Sequence, residues 1–164
     1  MPEPHDYAAT LLKLTEADSD LKDRYGKGGA VERLEHQFAT LTRKERALYL
    51  PSGTMANQLA IRVLSGDASK VLVQDLSHVF RDEADAAQVV HGKRLVPLAP
   101  GRGCFTAQEL EETVHRLRRG EVFRTRIGAL SIENPVRRAE GEVFDIAELR
   151  RVCEFARAND IGLH

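Results

Sequence analysis

Three short segments of this 164-residue chain carry side chains whose types and spacing suit the binding of a small anionic ligand. The first is Leu48-Tyr49-Leu50-Pro51-Ser52-Gly53-Thr54-Met55-Ala56-Asn57, an apolar run that stops at a proline, turns on small polar residues and continues with helix-forming ones. It predicts a strand, a phosphate-binding turn and a helix N-terminus. Gly53 lets the backbone come close to a ligand, Ser52 and Thr54 bring hydroxyls, and the first free N–H groups of a helix point outward with its positive dipole end. A phosphate is satisfied in such a place, although a Ser-Gly-Thr triplet also serves as an ordinary turn with a capping hydroxyl. The second segment places His78 five residues before Glu83, and the third places Glu133 and Asn134 directly after an apolar run. Taken alone, His78 reads as a loop histidine, Glu83 as a solvated helix residue, and Glu133 and Asn134 as groups that satisfy backbone at a strand end.

The elements that must position these residues follow from periodicity. Tyr7, Leu11, Leu12 and Leu14 predict a short amphipathic helix from Asp6 to Ala17, followed by the charged segment Asp18 to Arg24 and a Gly-rich turn at 25–29, where Tyr25 is a packing candidate. Val31, Leu34, Phe38 and Leu41 put one apolar stripe on a second helix. Arg46 to Leu50 reads as the strand leading into the phosphate turn, and Met55 to Leu64 as the helix leaving it, stopped at Ser65-Gly66. Strands are expected at Val71–Val73, Arg94–Leu98, Ile127–Ile132 and from Ile161, with an Ala-rich helix over Val79–Val90. Thr106 with Glu109 makes a capping box for a helix to about Arg119, and Asp145 with Glu148 repeats that logic for the last helix. Strands separated by helices predict an α/β fold with a mainly parallel sheet and flanking helices. Such sheets bind ligands at the carboxyl ends of their strands, where all three segments fall.

Composition narrows the classes. Lys plus Arg number 24 against 25 Asp plus Glu, so the net charge of -1 gives no reason to expect nucleic acid or an anionic membrane as partner. The arginine pairs 118–119 and 150–151 then read as solvated helix faces. Cys104 and Cys153 have no metal-ligand or disulfide spacing, so no metal site is expected and a reducing compartment fits. No apolar run approaches the roughly 18 residues of a membrane span, and the expectation is a cytoplasmic, soluble protein.

Four segments together resemble the threonine aldolases and aromatic amino acid β-eliminating lyases, pyridoxal-phosphate enzymes of the aspartate-aminotransferase-like fold. They are Tyr25-Gly26 with Val31 and Leu34-Glu35; residues 50–57; Ser77-His78-Val79-Phe80-Arg81-Asp82-Glu83-Ala84; and residues 130–134 continuing to Gly141-Glu142-Val143-Phe144. The resemblance implies part of the large domain of a fold-type I enzyme. Residues 1–24 would be an N-terminal helical extension, and residues 25–164 the N-terminal part of the cofactor-binding domain, ending before the Schiff-base lysine. It further implies that Ser52, Gly53 and Thr54 hold the phosphate of pyridoxal 5'-phosphate, that His78 stacks on its ring, that Glu83 lies on the substrate side, and that Glu133 and Asn134 belong to the cofactor site. His78 and Glu83 are the catalytic candidates. An amino acid substrate and a homo-oligomer follow from the same resemblance. Two departures qualify it: residues 135–138 read Pro-Val-Arg-Arg where threonine aldolases usually carry Thr-His-Asn, which leaves β-elimination open beside aldol cleavage, and the Asp-Gly-Ala-Arg run and the later lysine have no counterpart here. The expectation is a fragment inactive alone, from a lyase acting on an amino acid. The alternative is a non-catalytic binding fragment that associates with other subunits. A nucleotide-binding domain has no support, since neither Gly-x-Gly-x-x-Gly nor Gly-x-x-x-x-Gly-Lys-Ser/Thr occurs.

Overall fold

The computed structural model describes residues 3–17 and 21–164. The chain divides into two compact units, Met1–Pro51 and Ser52–His164. In the first, α1 (Pro4–Ala17) and α2 (Gly29–Thr42) form where the apolar spacing predicts helices, but neither buries a residue, and Tyr7, Leu11, Leu12 and Leu41 are all more than half exposed. Residues 18–20 of the charged segment lie outside the described residues. Tyr25 is fully exposed in a left-handed turn, so it is no packing residue.

The strand expected at Arg46–Leu50 is not formed. A strand needs a neighbour for its ladder, and among the described residues no segment pairs with this one; Leu48 is exposed and Tyr49 N–H goes instead to Glu35 Oε1 at 2.8 Å.

The second unit begins with α3 (Gly53–Ser65) and is built on four parallel strands, β1 (Lys70–Gln74), β2 (Arg94–Leu98), β3 (Ile127–Ser131) and β4 (Gly162–Leu163), in the order β2-β1-β3-β4. Every residue of β1 is buried, as expected of a central strand covered on both faces. Leu72 faces one side and joins Val96 and Leu130 beneath α6 (Ala107–Gly120) and α7 (Ile146–Ala158), which bring Leu110, Val114, Val152 and Ala156. Val71 and Val73 face the other side and meet Ile61 of α3 and Val79. The predicted Ala-rich helix is in fact two short ones, α4 (His78–Arg81) and α5 (Ala86–His91), because Ala84 and Asp85 between them turn left-handed. The Thr106–Glu109 capping box is present. At α7 only half of the analogous box forms: Asp145 caps Glu148 N–H, while Glu148 Oε1 accepts Ala107 N–H at 2.6 Å and so ties the starts of α6 and α7 together.

From β1 the chain moves to one side of the sheet to make β2, then crosses back to make β3. The place where the direction reverses, outside the carboxyl ends of β1 and β3, is the favoured ligand position in an open parallel sheet.

Candidate functional site

A small cavity of about 150 Å³ opens at that switch point, with Asn57, His78, Ser131, Glu133 and His164 in its wall. They come from the first turns of α3, the first residue of α4, the last residue of β3, the loop after β3, and the residue after β4. Strand direction alone places them together.

His78 is the most densely tied. Its backbone N–H donates to Glu133 Oε2 at 2.6 Å, its Nδ1 lies 3.3 Å from Asp82 Oδ2, and its Nε2 lies 3.6 Å from Glu83 Oε1. Glu83 is not the solvated helix residue that its isolated context suggests, because its side chain is 1% exposed. A buried carboxylate needs donors, and α3 supplies them: Asn57 Nδ2 donates at 2.7 Å and Gln58 Nε2 at 2.5 Å. Gln58 Oε1 is left buried with no partner among the described residues.

Glu133 is held at both ends. Its N–H and C=O pair with the side-chain amide of Gln74 at 2.7 and 2.8 Å, and its Oε1 accepts Arg137 N–H at 2.9 Å. Asn134 points elsewhere: its Oδ1 accepts Phe144 N–H at 3.1 Å, and it does not line the cavity. His164 Nδ1 lies 2.9 Å from Ser131 Oγ. Burial pushes the His164 imidazole below its ordinary pKa, with nearby Glu83 pulling the other way.

Ser52, Gly53 and Thr54 stand at the start of α3. Ser52 Oγ accepts Met55 N–H at 3.1 Å and is the helix cap, while Gly53 and Thr54 are exposed. A Cβ built on Gly53 would meet nothing within 4 Å, and its φ is not in the left-handed range. Neither packing nor backbone strain within the chain requires glycine here. Asn57 follows Gly53 by four residues, about 6 Å along the axis at the helical rise, so the free end of α3 and the cavity wall belong to one face of one helix. The residues present thus fit a phosphorylated ring: free N–H groups and a hydroxyl at a helix N-terminus, and an imidazole at the neighbouring strand end.

Sequence reading missed Asn57, Gln58, Gln74, Asp82, Ser131 and His164. The available signal was polarity out of place: an Asn-Gln pair inside an apolar-faced helix, and a Gln and a Ser closing strands whose other residues are almost all apolar. Both buried lysines lie at the other end of the sheet. Lys70 Nζ, at the start of β1, donates to Glu121 Oε2 at 2.6 Å and to the carbonyl and hydroxyl of Thr125. Lys93 Nζ, just before β2, donates to the carbonyls of Gly66 and Ala68, and burial lowers its pKa. A larger cleft of about 530 Å³ also opens at that amino end, lined by Arg118, Arg124 and Arg126, and none of the candidate site residues lines it.

The sequence model of the beta-eliminating lyases matches residues 14–164. The chain belongs to the beta-eliminating lyase family. Family members that it resembles include a low-specificity L-threonine aldolase of Candida albicans, 31% identical over 134 residues that make up 80% of this chain and 35% of the relative. Another is the alanine racemase TOXG of Cochliobolus carbonum, 28% identical over 158 residues, 95% of this chain and 38% of the relative. Among solved structures, a Listeria monocytogenes EGD-E protein described as a candidate L-allo-threonine aldolase superposes with a TM-score of 0.81 at 25% identity, covering 100% of this chain and 44% of the other. Threonine aldolase from Leishmania major shares the fold with a TM-score of 0.78 at 18% identity, over 94% of this chain and 45% of its own. The chain thus spans less than half the length of these relatives. The α/β architecture expected from the sequence, with its parallel sheet and flanking helices, is that of the threonine aldolases of fold type I.

Proposed function

We propose that these residues are the phosphate cup and ring platform of a pyridoxal-phosphate-dependent lyase acting on an amino acid, and that the 164-residue chain binds this cofactor without turning substrate over. The observation that carries the reading is the start of α3: an exposed glycine whose Cβ would meet nothing among the described residues, flanked by two hydroxyl residues, on the helix whose amides hold Glu83. In this reading residues 1–24 are a helical extension and residues 25–164 belong to the cofactor-binding domain. Gly53 and Thr54 offer N–H groups, and Thr54 its hydroxyl, to the phosphate; Ser52 fixes the helix end that presents them. His78 supplies the face on which the ring rests. Glu83, held by two amide donors, stands on the substrate side, and Glu133 holds the His78 backbone in place. Bound pyridoxal phosphate supplies the electron sink that labilises a bond at the substrate's α-carbon. Aldol cleavage and β-elimination both begin that way. A cytoplasmic setting and association with further subunits complete the reading.

The test is titration of the purified chain with pyridoxal phosphate and, separately, with inorganic phosphate. Both should bind in competition, and Thr54→Ala should weaken both, since a charge-assisted hydrogen bond contributes about 1.5–3 kcal/mol, roughly ten- to hundredfold in affinity. Ser52→Ala should instead lower folding stability by about 1 kcal/mol in urea, the usual worth of an N-cap. Unchanged affinity in Thr54→Ala would place the phosphate elsewhere.

A further inference from the structure

Asp82 takes no part in that reading, yet it closes a ring of contacts around His78. His78 N–H donates to Glu133 Oε2 at 2.6 Å; Glu133 Oε1 accepts Arg137 N–H at 2.9 Å; Arg137 Nη2 donates to Asp82 Oδ2 at 2.7 Å; and the same Oδ2 lies 3.3 Å from His78 Nδ1. Arg138 adds a second guanidinium on the other side, its Nε 3.0 Å from Oδ2 and its Nη2 bonded to Oδ1. The Asp82 side chain is 17% exposed. The two arginines, Arg138 foremost, hold its carboxyl well below the usual carboxylate range. Glu83, the other carboxylate beside the imidazole, lies farther off, 3.6 Å from Nε2, and already has two donors.

The geometry points to Asp82 as a positioning residue: fixed by Arg137 and Arg138 of the turn after β3, its carboxylate stands 3.3 Å from Nδ1 of His78, favours a proton on that nitrogen and thereby sets the tautomer of the imidazole that faces the cavity. This rests on the reading of His78 as the ring platform. An imidazole with its proton on Nδ1 presents an unprotonated Nε2 on its other edge; Glu133 fixes the His78 backbone, and the Asp82 carboxylate stands at the ring. The loop 135–138 is therefore mechanically part of the site although it adds no side chain to the cavity wall.

The experiment is a long-range nitrogen–carbon correlation spectrum of the imidazoles in the full chain, with His78 assigned by its loss in His78→Gln. In the unaltered chain neutral His78 should carry its proton on Nδ1. In Asp82→Asn the amide oxygen stays with the arginines and turns an NH₂ toward Nδ1, so the proton should move to Nε2. Arg137→Ala, a change at an exposed side chain, should give a mixture of tautomers, and Arg137→Lys should restore the original state. A second readout is binding: Asp82→Asn should weaken pyridoxal phosphate by roughly three- to tenfold, the size of a misplaced aromatic stack, and leave inorganic phosphate unchanged. An Nε2–H tautomer in the unaltered chain, or an unchanged tautomer in folded Asp82→Asn and Arg137→Ala, overturns the assignment. Failure of both ligands to bind overturns the cofactor reading instead, and the tautomer measurement still decides the role of Asp82.

Discussion

At the scale of single residues, the site is a set of polar groups placed where strands and helices end, held largely by hydrogen bonds within the chain. His164 shows how burial acts there. Its imidazole sits against Ser131 with its pKa depressed by desolvation, so the folded state favours the neutral ring more than the unfolded chain does. The sign follows by linkage: the unfolded chain takes up the proton first as pH falls, so the neutral ring's stabilisation is full above the ordinary value of 6.5 and is lost as pH drops through the folded value. Urea midpoints should therefore rise with pH across that window, and His164→Gln should flatten the rise; an equal slope in the variant would assign it to other groups. The hydroxyls and glycine of residues 52–54 were legible in the sequence because a capping turn before an apolar helix has a local signature. Burial of Glu83 was not legible. It depends on the amides of Asn57 and Gln58, 26 and 25 residues away, on a helix whose approach is settled only when the sheet assembles.

At the scale of elements, patterns that depend on a segment's own periodicity were read correctly, and those that depend on a partner were not. The capping box at Thr106, the strand at Arg94–Leu98 and the last helix announce themselves locally. Residues 46–50 have the composition of a strand and no ladder to join. Residues 79–90 have the composition of a helix, but the chain must bend at Ala84 and Asp85 so that Glu83 can turn inward. Packing between elements makes its own demand at β3. A Cβ on Gly128 would come within 2.6 Å of the Ser65 carbonyl and 2.7 Å of Ala68 Cβ, so the end of α3 lies directly on the strand. Gly128→Ala should cost about 1–3 kcal/mol by overpacking, read as a lower urea midpoint with an unchanged slope. Gly120→Ala, which meets nothing within 4 Å, is the control and should cost far less.

At the scale of the molecule, the second unit has two chemically distinct ends. The carboxyl ends of its strands carry His78, Glu133 and His164, and the amino ends carry Lys70 and Lys93, about 16 Å away along a five-residue strand. Both lysines are almost fully buried and hydrogen-bonded, so neither is placed to react with an aldehyde held at the start of α3. Borohydride reduction of the chain with pyridoxal phosphate, followed by peptide mapping, should give scattered substoichiometric labelling of surface lysines and no threonine cleavage; a single lysine labelled at unit stoichiometry with measurable turnover would overturn the non-catalytic part of the reading. The glycine at position 53 extends this to every other substitution in the chain. Two libraries of variants, one sorted for folded abundance and one for retention of a phosphorylated ligand, should agree almost everywhere, because most positions matter through the fold. Gly53 should stand apart, permissive in the first sort because a Cβ there meets nothing within 4 Å among the described residues, and strict in the second if the proposed phosphate cup is at the start of α3.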